Sequence, residues 1–232
     1  MTVNYLTIDT STTIVVGVCR SEMGQYTELA LATSDSTREH AEKLAPLVKE
    51  ALADAEVDKP DAIVVGTGPG AFTGLRAGLV TARTLARAWN VPVYGLSSLE
   101  ILGLAAADRG AQEVVPLIDA RRREVYAMRV RPMGGDDVAV IAEHSVMKPD
   151  ELTQILQREP AILAASSADL YPELDDVRGV EREVVTLSPQ VMVRLVESRL
   201  TRQEAGEEVT LDTEPLYLRR PDTQGGSPQP AR

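Results

Sequence analysis

The order of hydrophobic periods between Tyr5 and Ala107 constrains this chain most. Three runs read as strands, Tyr5–Asp9, Ile14–Cys19 and Tyr26–Ala32, joined by the polar turns Thr10–Thr13 and Glu22–Gly24, and they form an antiparallel meander. A helical pattern follows from Thr37 to Ala55, with Ser36 as N-cap and Glu39 completing a capping box. Then come a short apolar strand (Ala62–Gly66), a glycine-rich turn, a second helix (Phe72–Trp89), a strand (Val93–Leu96) and a third helix (Ser98–Ala107). Such an order, with apolar later strands, needs a mixed sheet covered by helices.

Asp108-Arg109-Gly110 reads as a seam between two units, residues 1–108 and 109–219. Beyond it, Val114–Asp119 and Val125–Val130 form a hairpin across Ala120–Glu124, Pro149–Gln157 and Ser188–Arg202 read as helices, and Ala161–Ala165 as a buried strand. Strand, basic turn, strand loosely repeats the opening of the first unit, so a duplicated and an unrelated second half both stay open. Residues 220–232 are low in complexity and expected to be disordered.

Apolar residues make up 44% of the chain but aromatic ones only 3%, so Val, Leu, Ile and Ala must build the core, and base stacking on aromatic platforms is disfavoured. A net charge of −11 gives no bulk attraction for nucleic acid or anionic lipid. One cysteine (Cys19) and two histidines exclude a disulfide framework and argue against a zinc site. With no leader-like start and no apolar stretch of spanning length, the chain is expected to be cytoplasmic, with no membrane partner.

The stretch Gly66–Arg76 (GTGPGAFTGLR) joins a strand to a helix, where backbone N–H groups can cradle an anion. It lacks the Gly-Lys-Ser/Thr of a P-loop and the third glycine of a dinucleotide fingerprint. Asp9, Gly68 and Gly70 are the weak nucleotide candidates there; the competing reading is a tight turn whose glycines allow close packing. Asp9 and Asp119 each admit two readings, a carboxylate that binds a metal–phosphate or acts as a base, and one that satisfies backbone N–H groups in a β-turn; without a nearby lysine or histidine partner the turn is favoured. His144 stands in a polar stretch without a ligand neighbour. Arg121–Arg123 is a hairpin tip able to touch phosphate.

On the second helix Arg76, Val80, Arg83 and Arg87 share one stripe, and Gly74, Gly78 and Ala82 form a flat ridge that another helix could approach. Ala41, Leu44, Ala45, Leu47, Val48, Ala51, Leu52 and Ala55 put an arc of roughly 160° on the first helix, with His40 inside it and Pro46 on the solvent side. Core packing and a protein–protein interface explain these arcs equally well.

Asp61–Gly78, Ile8–Thr12, His40–Pro46, Val91–Leu99, Asp119–Arg121 with Glu124–Tyr126, and Pro215–Arg219 together resemble the motifs of the bacterial TsaB family of tRNA threonylcarbamoyladenosine biosynthesis proteins. The likeness is dense over residues 5–105. It implies an α/β, actin-like and sugar-kinase-like (ribonuclease H-like) fold of two lobes. It also implies a non-catalytic scaffold that pairs with its catalytic paralogue TsaD and the ATPase TsaE. That complex transfers threonylcarbamoyl, from threonylcarbamoyl adenylate, to the adenosine next to the anticodon of tRNAs that read ANN codons. ATP and a metal would act through the other subunits, tRNA would be met only through the complex, and this chain would bind no cofactor. The paralogue's His-x-x-x-His metal pair is replaced by Ser98 and Leu102, and its second-lobe Gly-Gly signature by the acidic turn Gly134–Asp137. On this reading His40, Leu44, Leu47, Val48, Ala51, Phe72, Leu75, Arg76, Leu79, Val80 and Arg83 meet the partner, or a second copy in a homodimer. The rival is an ATP-dependent phosphotransferase of the same superfold.

Overall fold

The computed structural model describes residues 1–34 and 40–218, without the side chains of His40 and Ala41. The Ser36 cap, the Glu39 capping box, the His40 side chain and residues 219–232 lie outside that description.

The first unit runs β1 (Thr2–Asp9), β2 (Ile14–Glu22), β3 (Gln25–Ser34), α1 (His40–Asp54), β4 (Ala62–Gly68), α2 (Phe72–Trp89), β5 (Val93–Ser97) and α3 (Ser98–Ala107). The second runs β6 (Val114–Asp119), β7 (Val125–Met133), β8 (Asp137–Met147), α4 (Pro149–Arg158), β9 (Ile162–Ala165), a 3-10 turn (Pro172–Asp176), β10 (Glu181–Val184) and α5 (Pro189–Glu204).

Each unit holds a five-stranded mixed sheet, β3-β2-β1-β4-β5 and β8-β7-β6-β9-β10. The pairing senses also match: antiparallel from the first strand through the third, parallel from the first strand to the fourth and fifth. Even the first hairpins agree in register, with Asp9 opposite Val15 and Asp119 opposite Val125. The chain is therefore a duplication, and the fold is the two-lobe actin-like α/β architecture.

Two strands escape the sequence reading, β8 and β10, and both lie at a sheet edge. An edge strand needs only part of its surface apolar, so Glu143 and His144 in β8 and Glu181, Arg182 and Glu183 in β10 are tolerated and mask the strand period. The acidic turn at Gly134–Asp137 is the β7–β8 hairpin turn. Its last residue, Asp137, is buried and accepts from Arg199 and Arg202.

Three apolar clusters layer the molecule. One lies between the first sheet and helices α1 and α2, and one between the second sheet, α4 and the 3-10 turn. The third fills the space between the two sheets and contains α3 and α5. The helix apolar on all sides, and so covered on both, is α3, whose Leu99, Ile101, Leu102 and Leu104 are fully enclosed. α5 follows the second sheet in sequence yet packs on β1, β2 and β3 of the first, while α3 packs on β6 and β7. Each lobe's last helix thus serves the other lobe. Ion pairs fasten this layer: Arg199 reaches Glu100 (2.8 Å) and Asp137 (3.0 Å), and Arg194 reaches Asp108 and Asp136.

Candidate functional site

Asp9 ends β1 and is completely enclosed. Ser98 Oγ donates to its Oδ2 at 2.6 Å and the Ser11 amide to its Oδ1 at 2.7 Å, while Ser11 Oγ stands 2.7 Å from Ser98 Oγ. Burial raises the carboxyl's pKa above the ordinary aspartate value of 3.8, against the opposing pull of the Ser98 and Ser11 hydrogen bonds.

The glycines around this cluster are needed for contact. A Cβ on Gly66 would overlap Asp9 Oδ2, one on Gly70 would fall 2.7 Å from Ser11 Cα, and one on Gly78 would overlap Thr10 Oγ1. Thr10 Oγ1 donates to the Gly74 carbonyl at 2.8 Å. The β1–β2 turn therefore sits in the seat that the glycine-rich turn forms at the start of α2. The ridge of Gly74, Gly78 and Ala82 is buried against the chain itself and takes no second helix, because the turn is already there. Gly68, with φ of +94°, is also buried. Ser98 fastens Asp9, and Leu102 lies in the inter-sheet core. Among the described residues no group of three or more His, Cys, Asp and Glu is placed to hold a metal ion.

The candidate interface divides in two. Leu44, Val48, Ala51, Leu75 and Leu79 are buried beneath the first sheet's outer cluster and cannot meet a partner in this conformation. The hydrophobic arcs point them at the sheet, and the sheet and the facing helix already cover them. Leu47 and Phe72 are half-buried, whereas Arg76, Val80 and Arg83 are exposed, Val80 at 61%.

The C-terminal segment reaches this outer face, a placement invisible in the sequence. Residues 211–218 cross the β4–β5 edge, with the Gly95 amide donating to the Leu211 carbonyl and the Leu216 amide to the Thr67 carbonyl, each at 2.9 Å. Arg83 then donates to Thr213 Oγ1 and its carbonyl (both 2.7 Å) and pairs with Glu214 (3.1 Å). Arg76 Nε donates to the Tyr217 hydroxyl at 3.0 Å, and its guanidinium lies 4.0 Å from the Phe72 ring centroid. The Phe72 and Tyr217 rings stand 5.0 Å apart. The one signal that points here in sequence is that the chain's single Phe opens a helix instead of filling a strand.

In the second lobe Asp119 occupies the position equivalent to Asp9 and makes the same turn, accepting from the Arg121 amide at 2.8 Å. Here the carboxylate remains partly exposed and faces its own Arg121 side chain at 3.3 Å. Arg121, Arg122 and Arg123 all have positive φ, and Arg122, Arg123 and Lys148 line an open cavity together with Asp119, Asp150, Asp169 and Glu173. Four carboxylates there outnumber the three cations, so the hairpin tip is no basic patch. His144, on β8, lies 3.8 Å from Glu143.

Comparison with known proteins bears on this geometry. A family model described as TsaD, tRNA N6-adenosine threonylcarbamoyltransferase, matches residues 33–175. The tRNA threonylcarbamoyladenosine biosynthesis protein TsaB of Bacillus subtilis is 31% identical over 182 residues, 76% of this chain and 77% of that protein. TsaB of Escherichia coli is 30% identical over 193 residues, covering 78% and 81% respectively. The solved structure of YeaZ from Pseudomonas aeruginosa superposes with a TM-score of 0.73 at 28% identity, over 93% of this chain and 100% of that one. This chain belongs to the TsaD family of tRNA threonylcarbamoyladenosine proteins, as a TsaB/YeaZ-like member.

Proposed function

We propose that this chain is a non-catalytic subunit in the formation of threonylcarbamoyladenosine on tRNA, and that it seats on and stabilises a TsaD-like catalytic paralogue. The observation that carries the reading is the closed Asp9 cluster. Thr10 and Ser11 are packed into the glycine-rich turn and both Asp9 oxygens are engaged by the chain's own donors, which leaves this carboxylate no open face for a metal-bound phosphate. The biosynthesis role named for the B. subtilis and E. coli relatives supports the assignment.

The docking face is the outer surface of α1 and α2, where Leu47, Phe72, Arg76, Val80 and Arg83 remain accessible. His40, at the start of α1, belongs to the same proposed face. A TsaE-like ATPase joins the pair, and a homodimer forms through the same helices when the paralogue is missing. Transfer of threonylcarbamoyl from its adenylate to the adenosine beside the anticodon of ANN-reading tRNAs, with the ATP and metal it needs, belongs to the other subunits, and tRNA is contacted through the complex. The site of action is the cytoplasm; no described helix is long and apolar enough to cross a membrane.

Size-exclusion chromatography with light scattering, on the chain alone and mixed with the TsaD-like paralogue of the same organism, tests this. A mixed species containing both chains is expected. Separate elution, or micromolar ATP binding by the isolated chain that is lost in Asp9→Ala, would overturn the reading in favour of an independent phosphotransferase.

A further inference from the structure

Helix α5 is capped by Gly206 (φ +87°), whose amide donates to the Gln203 carbonyl while the Glu207 amide donates to the Arg202 carbonyl. Residues 208–218 then leave the second lobe as an irregular strap and lie along the edge of the first sheet. The strap walls one side of a cavity of about 660 Å³. Thr67 and Gly95 line that cavity from the first lobe, Val138 and Val140 from the second, and Arg199 and Arg202 from α5. At its far end the strap carries Tyr217 onto Phe72 and Arg76 of α2.

Little apolar burial holds the strap in place. Of residues 208–218 only Leu211 is buried. Two backbone hydrogen bonds tie it to the sheet, from the Gly95 amide to the Leu211 carbonyl and from the Leu216 amide to the Thr67 carbonyl. Gly95 permits the close approach, since a Cβ there would overlap the Asp212 carbonyl oxygen. The side-chain clamp is polar: Arg83 donates to Thr213 Oγ1 and its carbonyl and pairs with Glu214 at 3.1 Å, the two charged side chains being 44% and 79% exposed. Such a pair is screened by salt and contributes little. Leu6 in β1 and Leu117 in β6, by contrast, are fully enclosed. A segment with one buried side chain and solvent-facing hydrogen bonds opens at a lower free energy than strands of that kind.

We infer that the strap is a two-state latch. It hinges at residues 208–210, where Gln203 Nε2 donates to the Val209 carbonyl, and leaves the β4–β5 edge as a unit while both lobes stay folded. Arg83 is its catch. One movement opens the cavity between the lobes, leaves the Gly95 amide and the Thr67 carbonyl unpaired at the sheet edge, and withdraws Tyr217 from Phe72 and Arg76. The latch therefore couples the interlobe cavity to the α2 face, because whatever holds the strap closed at one end holds it closed at the other.

Amide hydrogen exchange of the full chain, read residue by residue by NMR at low urea concentrations, tests this. The Gly95 and Leu216 amides report the two seats of the strap, and Leu6 and Leu117 report the cores of the two lobes. After correction for intrinsic rates, Gly95 and Leu216 should exchange at least about a hundredfold faster than Leu6 and Leu117. They should also respond weakly to urea, since opening the strap exposes little surface, whereas the core amides respond steeply. Raising sodium chloride from about 0.05 to about 1 M should speed both strap amides about two- to fivefold. Glu214→Gln should remove that salt response. Arg83→Gln, which also loses the Thr213 bonds, should speed both amides at least about fivefold without changing Leu6 or Leu117. Strap amides as slow and as urea-dependent as the core would make the strap part of the global folding unit and overturn the latch. Acceleration of Gly95 without Leu216 in Arg83→Gln would show two independent contacts and overturn it too, as would unchanged exchange of both.

Discussion

Replacing Asp9 separates a structural carboxylate from a catalytic one. Asp9→Ala removes the acceptor of two hydrogen bonds in a buried site, those from the Ser11 amide and the Ser98 hydroxyl, while the two serine hydroxyls keep each other. At about 1 kcal/mol for each buried hydrogen bond lost, the cost is about 2 kcal/mol. For a chain of this size each kcal/mol moves the melting temperature by about 2–4 °C, so Tm should fall by about 4–8 °C. Asp9→Asn keeps an acceptor for the Ser11 amide, and reversal of the Ser98 hydroxyl lets the new amide donate to it, so the loss should stay near 1 kcal/mol. The pair also differs in pH dependence. Burial holds the Asp9 carboxyl above its ordinary value of 3.8 in the folded state. Below about pH 4 the carboxyl is protonated folded or unfolded, and no charge is buried. As pH rises through the folded value the native state must bury an anion, and stability is lost. The stability of Asp9→Asn relative to the unmodified chain should therefore increase with pH from about 4 upward. Differential scanning calorimetry from pH 4 to 8 reads both effects. An unchanged Tm in Asp9→Ala, or a flat difference between Asn and Asp across that range, would refute a buried structural role.

Val80→Asp should leave Tm within about 1 °C, since Val80 is 61% exposed, yet weaken binding of the paralogue at least tenfold in calorimetric titration. Leu79→Asp, only one position away but 3% exposed, should instead unfold the chain in circular dichroism, so loss of pairing in that variant says nothing about an interface. Asp137→Ala leaves Arg199 to Glu100 and Arg202 to Glu207 beside the inter-sheet layer and should cost about 1–3 kcal/mol in urea denaturation, the loss of their charged hydrogen bonds to a buried carboxylate. Gly95→Ala should expel the strap, seen as rapid proteolysis after residue 210 with the remaining protein resistant.

The first lobe is legible in sequence because its elements carry clean periods and clear ends. α2 and α3 run over the spans read from pattern alone, Phe72–Trp89 and Ser98–Ala107. Duplication is harder to see because the two strands that complete the second sheet are edge strands with charged residues facing solvent. A helical wheel identifies Leu44, Val48, Ala51, Leu75 and Leu79 as companions on apolar arcs, but not which part of an arc the sheet covers. That depends on how far the helices sink onto β1, β2 and β4, a tertiary quantity. The motif around Asp9 and Gly66–Gly78 is evident as residues, while its closure follows from Thr10 and Ser98, one polar turn residue and one helix start with no distinguishing local pattern. The Arg76–Tyr217 contact spans 141 residues of sequence, and nothing local announces it.

The measurement that tests the central claim most directly is the rate of threonylcarbamoyl transfer to tRNA by the reconstituted complex, with this chain present, omitted, or replaced by Asp9→Asn at a temperature well below its Tm. Omission should abolish transfer, and the Asp9→Asn chain should restore it to the unmodified rate. Transfer that proceeds without the chain, or that fails with Asp9→Asn while the complex still assembles, would contradict a non-catalytic subunit built around a closed carboxylate.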